Sequence, residues 1–336
     1  MTPKRHIIPI FIPHLGCPND CVFCNQKRIS GALRPAGPED VEKTIAAGLR
    51  HIPAGKEVEA AFYGGSFTAI PAGEQEALLG AALPFLRSGA LSSLRLSTRP
   101  DCVDGETLAR LRRYGVGTVE LGVQSMCPDV LSLSKRGHTP EDAEKAARLV
   151  KEAGFRLVLQ MMTGLPGDTP EKSLYTAERL IALRPDGVRV YPTVIVEGTE
   201  LYDLWRAGLY REHTVEDAVS LCARLLDLFE EAGVPVIRLG LNPTDELSGG
   251  AAAGGAYHPA FGELVASRRY LEKARAALKE AGAGDRATLL VAPGQISAMT
   301  GQKRCNIETL TREFGLKTLR VREGDVVRGR VLVQRD

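Results

Sequence analysis

Gly16-Cys17-Pro18-Asn19-Asp20-Cys21-Val22-Phe23-Cys24-Asn25 follows directly on the apolar run Ile7–Ile12. The spacing is C-x3-C-x2-C, and the apolar run reads as a strand. Three thiolates in one short loop can hold three irons of a [4Fe–4S] cubane. The fourth iron then has no ligand from the chain and stays open to a small molecule. Two other uses of clustered cysteines fit less well. Structural zinc takes four ligands, usually in paired clusters, and the sequence has no second cluster. Disulfide frameworks belong to small secreted chains, whereas this one has 336 residues and 7 cysteines, an odd number.

Outward from this loop the text alternates short apolar runs with helical stretches. Strands are expected at Ile7–Ile12, Val58–Tyr63, Leu94–Thr98, Thr118–Val123, Arg156–Met162 and Gly187–Tyr191, with Val234–Leu239 as a possible extra. Helices are expected near 39–51, 73–87, 104–114, 140–153, 170–183 and 214–232. Thr139-Pro140 and Thr169-Pro170 place a capping hydroxyl and then a proline at helix starts. Gly115, Gly154 and Gly233 fall where helices end. Six such β-α repeats predict an α/β fold with a parallel sheet and right-handed crossovers. Eight would be needed to close a barrel, so the expectation is a curved (β/α)6 partial TIM barrel whose active face lies at the strand C-termini.

Hydrophobic residues make up 44% of the chain, yet no apolar run nears the 18 or so needed to span a bilayer. Lys4 and Arg5 are not followed by an apolar signal-peptide core, so a reducing cytoplasm is expected. Three segments are predicted: a core over 1–240, a glycine-rich linker and helix over 241–285, and a small α/β unit over 286–336. Lys303, Arg304, Arg312, Lys317, Arg320 and Arg322 make the C-terminal end basic. A polyanion would suit that end, and a solvated surface would explain it as well.

The cysteine loop, with aromatic Phe23 just before the third cysteine, resembles the signature of the radical SAM superfamily. That resemblance implies a [4Fe–4S] cluster on Cys17, Cys21 and Cys24, with S-adenosylmethionine on the open iron and reductive cleavage to a 5′-deoxyadenosyl radical. It also implies a one-electron donor such as flavodoxin or ferredoxin. Phe23 would pack on the adenine. Tyr63-Gly64-Gly65 resembles the glycine motif that contacts the methionine amino group. Ser97 and Arg99, at the end of the third strand, would face the same site, although a surface ion pair would serve Arg99 equally. Glu120 and Gln124 flank a buried strand and need polar partners, from a ligand or from an internal network. Gln124 and Arg136 match in spacing the S-adenosylmethionine contacts of oxygen-independent coproporphyrinogen oxidases, and Arg136 suits a carboxylate.

Ser97–Asp101, Val119–Ser125, Arg136–His138, Met162–Gly167 and Val190–Tyr202 together are similar to the radical SAM domain of the Elongator catalytic subunit, which acts on the wobble uridine of tRNA. The likeness implies that Tyr191 lines the substrate end of the barrel. It also points to RNA, most plausibly tRNA, as the partner. Residues 240–336 do not carry the pattern of that family's acetyltransferase domain, so the acetyl-derived chemistry is not expected to carry over. In the last segment the order strand, turn, Gly301-Gln302-Lys303-Arg304, Asn306-Ile307 and strand resembles a degenerate KH domain, with Arg304 where a second glycine belongs. In KH domains that loop clamps a nucleic-acid backbone. Tyr257-His258-Pro259 sits beside glycine-rich sequence and suggests a lid carrying His258 to the active site, although a surface histidine would read the same. The competing reading is an enzyme of the coproporphyrinogen oxidase type acting on a small molecule.

Overall fold

A computed structural model describes residues 5–18, 20–53, 55–242, 247–282 and 284–335. Features read at Lys4 and Asn19 therefore lie outside the described residues. By packing, the chain falls into two units: residues through Thr214 with Leu228–Tyr257, and Val215–Asp227 with His258 onward.

The first unit is built on β1 (His6–Phe11), β2 (Val58–Tyr63), β3 (Ser93–Thr98), β4 (Val116–Gln124), β5 (Arg156–Thr163) and β6 (Gly187–Pro192). Between them run α1 (Gln26–Ser30), α2 (Pro38–Leu49), α3 (Ala72–Arg87), α4 (Gly105–Arg113), α5 (Pro128–Leu133), α6 (Pro140–Glu152) and α7 (Pro170–Ala182). β7 (Val194–Val196) and α8 (Glu200–Arg206) follow, then β8 (Val236–Leu239); α9 (Val215–Glu231) precedes β8 in sequence, and its residues through Asp227 belong to the second unit. The seven strands β1-β2-β3-β4-β5-β6-β8 form one sheet, parallel at every pairing. The partial barrel thus carries the extra strand as well as the six expected ones. Its helices start where the sequence says: Thr139 and Thr169 hydroxyls accept from the N–H groups of Asp142 and Lys172, each with Pro next in line.

One stretch read as plain loop is a strand. β9 (Ala252–Gly255) pairs antiparallel with β7. The glycines hid it from a propensity reading, yet they are what the pairing requires. Gly255 has φ +81°, and a Cβ there would stand 2.7 Å from the Thr193 carbonyl oxygen.

The second unit contains α10 (Phe261–Ala281), β10 (Arg286–Val291), α11 (Ile296–Thr300), α12 (Cys305–Phe314), β11 (Thr318–Glu323) and β12 (Leu332–Arg335). Its sheet has the order β11-β10-β12, with β10 parallel to β11 and antiparallel to β12. Tyr270, Ala274 and Leu278 of α10 join Leu289, Val291, Met299 and Leu310 in one apolar core. The helix predicted with the linker is therefore part of this unit's interior. No helix among the described residues is long and apolar enough to cross a membrane.

Candidate radical SAM site

Charged residues occupy the inside of the sheet. Glu59, Glu120 and Arg95 are each less than a tenth exposed. Arg95 reaches Glu59 at 2.6 Å and Glu120 at 2.9 Å, and Arg189 reaches Glu120 at 2.7 Å. Gln160 donates to Glu120 at 2.9 Å, as does the Tyr63 hydroxyl. Burial opposes the charge on Glu120, but Arg189 and Arg95 outweigh it and hold the carboxyl below its ordinary range. Burial, reinforced by Glu120, pushes the Tyr63 phenol well up, so it remains a donor. Glu120 thus finds its partners within the protein, one of the two outcomes the sequence left open. Tyr63 belongs to this brace and also lines the cavity described next.

The sheet curves around a cavity of about 1100 Å³ that includes Arg95, Gln160 and Arg189 of this network and reaches the C-terminal strand ends. Cys17, Cys21 and Cys24 line it, together with Phe23, Tyr63, Gly64, Gly65, Ser97, Arg99, Gln124, Arg136 and Tyr191. The structure therefore brings around one cavity the first-unit residues expected to hold the cluster and its ligand, and Tyr191 with them, while Glu120 stays in the brace. All three thiols are free. They lie close enough to repel one another as thiolates: burial first, then Cys21, raises both Cys17 and Cys24, the latter pushed up to about 12. Cationic irons relieve that repulsion, because the ligand form is the thiolate. Among the described residues no three such side chains converge as tightly as a single ion needs. A cubane's corners stand farther apart, with sulfides between them.

The cysteine loop is fixed by interlocked backbones. The Ser66 N–H donates to the Leu15 carbonyl at 2.9 Å, and His14 N–H donates to Gly64 at 2.8 Å. A Cβ on Gly65 would meet Leu15 O at 2.4 Å, and one on Gly16 would meet Ser66 O at 2.3 Å. The paired glycines, read from sequence as a ligand cradle, thus also have a steric duty toward the cysteine loop. His14, which the sequence reading passed over, accepts the Gln26 N–H through Nε2 at 3.0 Å. Its φ of 60° turns the chain toward the cysteines. Phe23 packs against two apolar clusters, one containing Leu165, against which Met162 also packs, and one containing Ile195 and Leu201.

Several donors and acceptors around this cavity are open among the described residues. Arg99 makes a two-point ion pair with Asp101 at 3.0 and 2.9 Å, yet its buried Nη1 has no partner. Gln124 leaves Oε1 buried and unpartnered, and it sits at φ 67° where the β4–β5 register slips. A non-glycine residue held there is strained, and such strain concentrates at functional sites. Arg136 donates to Cys21 Sγ at 3.1 Å and to the Gly122 carbonyl at 2.7 Å. Ser97 makes only a long bond, 3.5 Å, to the Phe62 carbonyl. Buried polar atoms left open in this way fit a polar ligand.

The radical SAM superfamily model matches residues 11–180, and a radical SAM C-terminal domain model matches 185–273. The chain belongs to the radical SAM superfamily. Mouse Elongator complex protein 3 is 38% identical over 141 residues, 40% of this chain and 25% of that protein. The tRNA uridine(34) acetyltransferase of Methanocaldococcus jannaschii is 35% identical over 132 residues, 38% of this chain and 24% of that one. These matches span about a quarter of the curated relatives' length. Among solved structures, Methanocaldococcus infernus Elp3 lacking residues 1–46 superimposes with a TM-score of 0.62 at 22% identity, over 82% of this chain and 64% of that one. At that identity the superposition speaks to the fold. Streptococcus suis SuiB gives a TM-score of 0.51 at 15% identity, over 74% of this chain and 51% of that one. A radical SAM chain is an enzyme whose family chemistry uses an iron–sulfur cluster and S-adenosylmethionine.

The remaining candidates lie in the second unit. His258 Nδ1 accepts the Ala260 N–H at 3.1 Å, and His258 is not among the residues described around the cavity. Gly301, Gln302, Lys303 and Arg304 form the turn between α11 and α12, with the last three exposed. Arg304 takes φ 65°, so the position where a glycine was expected keeps the backbone a glycine would adopt. Buried Asn306 anchors the turn by donating to the Ser267 and Met299 carbonyls, each at 3.0 Å.

Proposed function

We propose that this chain is a radical SAM enzyme that modifies RNA, most plausibly tRNA, in the reducing cytoplasm. Cys17, Cys21 and Cys24 would hold the [4Fe–4S] cluster. Arg99 and Gln124 would take polar groups of S-adenosylmethionine, Arg136 its carboxylate, Gly64 would present backbone, and Phe23 would cover the adenine. The observation that carries this reading is the juxtaposition of three free thiols with the open Arg99 and Gln124 atoms on one cavity wall. When bound, the cluster supplies the electron that cleaves S-adenosylmethionine to methionine and a 5′-deoxyadenosyl radical. The chain's own part is to hold that ligand against apolar Phe23 and Met162, turn its carboxylate toward a guanidinium, and limit water around the reacting carbon. Burial raises the Tyr191 phenol, so it would meet substrate as a hydrogen-bond donor.

The RNA half of the proposal is supported by the likeness to a tRNA uridine(34) acetyltransferase and by the glycine-type backbone of the Gly301–Arg304 turn. Lys303 and Arg304 would there contact phosphate. A flavodoxin- or ferredoxin-like protein would deliver the electron. The test is anaerobic reconstitution with iron and sulfide, reduction, and assay for 5′-deoxyadenosine, followed by salt-dependent retention of total tRNA and mass spectrometry of its nucleosides. Deoxyadenosine formation with salt-sensitive tRNA binding and a changed nucleoside supports the proposal. Deoxyadenosine without tRNA binding turns it toward a small-molecule substrate of the coproporphyrinogen type.

A further inference from the structure

Beyond Arg99 and Arg136, five further guanidiniums line the barrel cavity, from Arg5, Arg95, Arg156, Arg189 and Arg238. The carboxylates facing them are shared out unevenly. Glu59 serves Arg5, Arg95 and Arg156 at 2.8, 2.6 and 3.6 Å, and Glu120 serves Arg95 and Arg189. Asp186 also lines the cavity and accepts the Leu157 N–H at 2.8 Å. Arg238 forms no ion pair with any described carboxylate; its Nε donates to the Gly240 carbonyl at 3.1 Å. It stands directly across from Arg189 in the β6–β8 register. Like charges placed opposite on neighbouring strands repel. Burial, and then Arg189, weaken the hold of Arg238 on its proton, with Tyr191 acting the other way. A half-buried cation beside another cation, lacking a counter-ion, is costly unless something anionic visits.

What surrounds Arg238 narrows that visitor. Tyr191 shares the cavity, is close enough for Arg238 to act on it electrostatically, and accepts from Arg189 Nη1 at 3.4 Å. Val194 and Leu241, packed in one apolar cluster, line the same cavity. A forked cation, a phenolic donor and apolar lining suit a nucleotide, with the oxyanion on the fork and the base on the apolar residues. We propose that Arg238, with Tyr191, binds a phosphate group of the substrate inside the barrel and thereby positions the nucleotide to be modified. This rests on the RNA reading above and deepens it by naming the group held and the residue that holds it.

The test is titration calorimetry on the anaerobically reconstituted protein with uridine, uridine 5′-monophosphate and the dinucleotide UpU as probes. Both phosphate-bearing probes should bind about ten-fold more tightly than uridine at low salt, the gain typical of one charge-assisted hydrogen-bonded contact. Arg238→Gln should erase that preference and leave uridine binding in place, while Arg238→Lys should keep part of it. Equal binding of all three probes by the unaltered protein overturns the proposal, and needs no variant to be seen. Retained preference in Arg238→Gln overturns it as well. Preference for the monophosphate without preference for UpU supports the site while removing RNA as its source. tRNA modification with no phosphate preference removes the site and leaves the RNA reading intact.

Discussion

The two packing units solve the problem of a polar interior in opposite ways. In the first, charge is buried deliberately: Glu59 and Glu120 are fully enclosed and shared among arginines, and the cavity wall leaves Arg99 and Gln124 atoms open. In the second, the core is apolar, buried Asn306 is saturated by carbonyls, and among the described residues no buried side-chain nitrogen or oxygen is without a partner. Incomplete satisfaction is expensive. It therefore gathers where a ligand can complete it, and a unit that has none is better explained by folding or by surface contacts.

The sharpest way to break this contrast is Cys24→Ala. The first unit should lose its iron and its 5′-deoxyadenosine production to background, read by iron analysis and chromatography, with the circular dichroism spectrum unchanged. Retained activity would remove the thiol wall from the account. Glu120→Gln comes next. Two guanidiniums would lose their shared anion, with an expected cost of about 3–5 kcal/mol in denaturant unfolding. Leu289→Ala probes the other unit. A fully buried leucine in an apolar core should cost about 2–5 kcal/mol. Iron content should stay at the unaltered level, and a loss of iron would blur the distinction between the units.

His138 supplies a pH test within the first unit. It is buried, and its Nε2 lies 3.1 Å from the Val123 carbonyl. Burial, then Arg136 and Arg99, lower it to about 4 from an ordinary 6.5. Above pH 6.5 neither folded nor unfolded chain is protonated there, so the group is neutral toward stability. As pH falls through 6.5 the unfolded chain gains a proton that the folded one refuses. Stability then declines until about pH 4, by roughly 3 kcal/mol in all. His138→Gln should flatten that slope in unfolding measured from pH 7 to 4. The smallest effect is expected from Lys303→Glu with Arg304→Glu. Folding should be unaltered, tRNA retention weaker, and the salt dependence shallower by about two phosphate contacts. No change in retention would leave the second unit without a nucleic-acid role.

Much of the barrel was readable because its helices and strands obey local rules. Thr-Pro starts, glycine ends and six apolar runs all lie within short windows. The cysteines were readable for the same reason, since their spacing is local. The interior charges were not. Arg95 and Glu59 are 36 residues apart, and a charged residue inside a strand does not name its partner. Glu120 could be flagged as needing company, but whether that company was ligand or protein depended on the fold. β9 was missed because glycine argues against a strand unless the close approach of Thr193 is known. Gly65 was noticed for its permissiveness, whereas its nearest neighbour, the Leu15 carbonyl, is a fact of tertiary structure. His14 gave no motif at all, and His138 fell within the matched Arg136–His138 segment without a role of its own; a scan for histidines bordering the cysteine and Arg136 segments would have found both.

The mutual trespass of Gly16 and Gly65 makes the cysteine loop a poor candidate for transplantation. Moved alone into another barrel, it would collide with any side chain on the turn after the second strand. Engineers who wish to install such a centre elsewhere must carry both segments together, as a lock with its key.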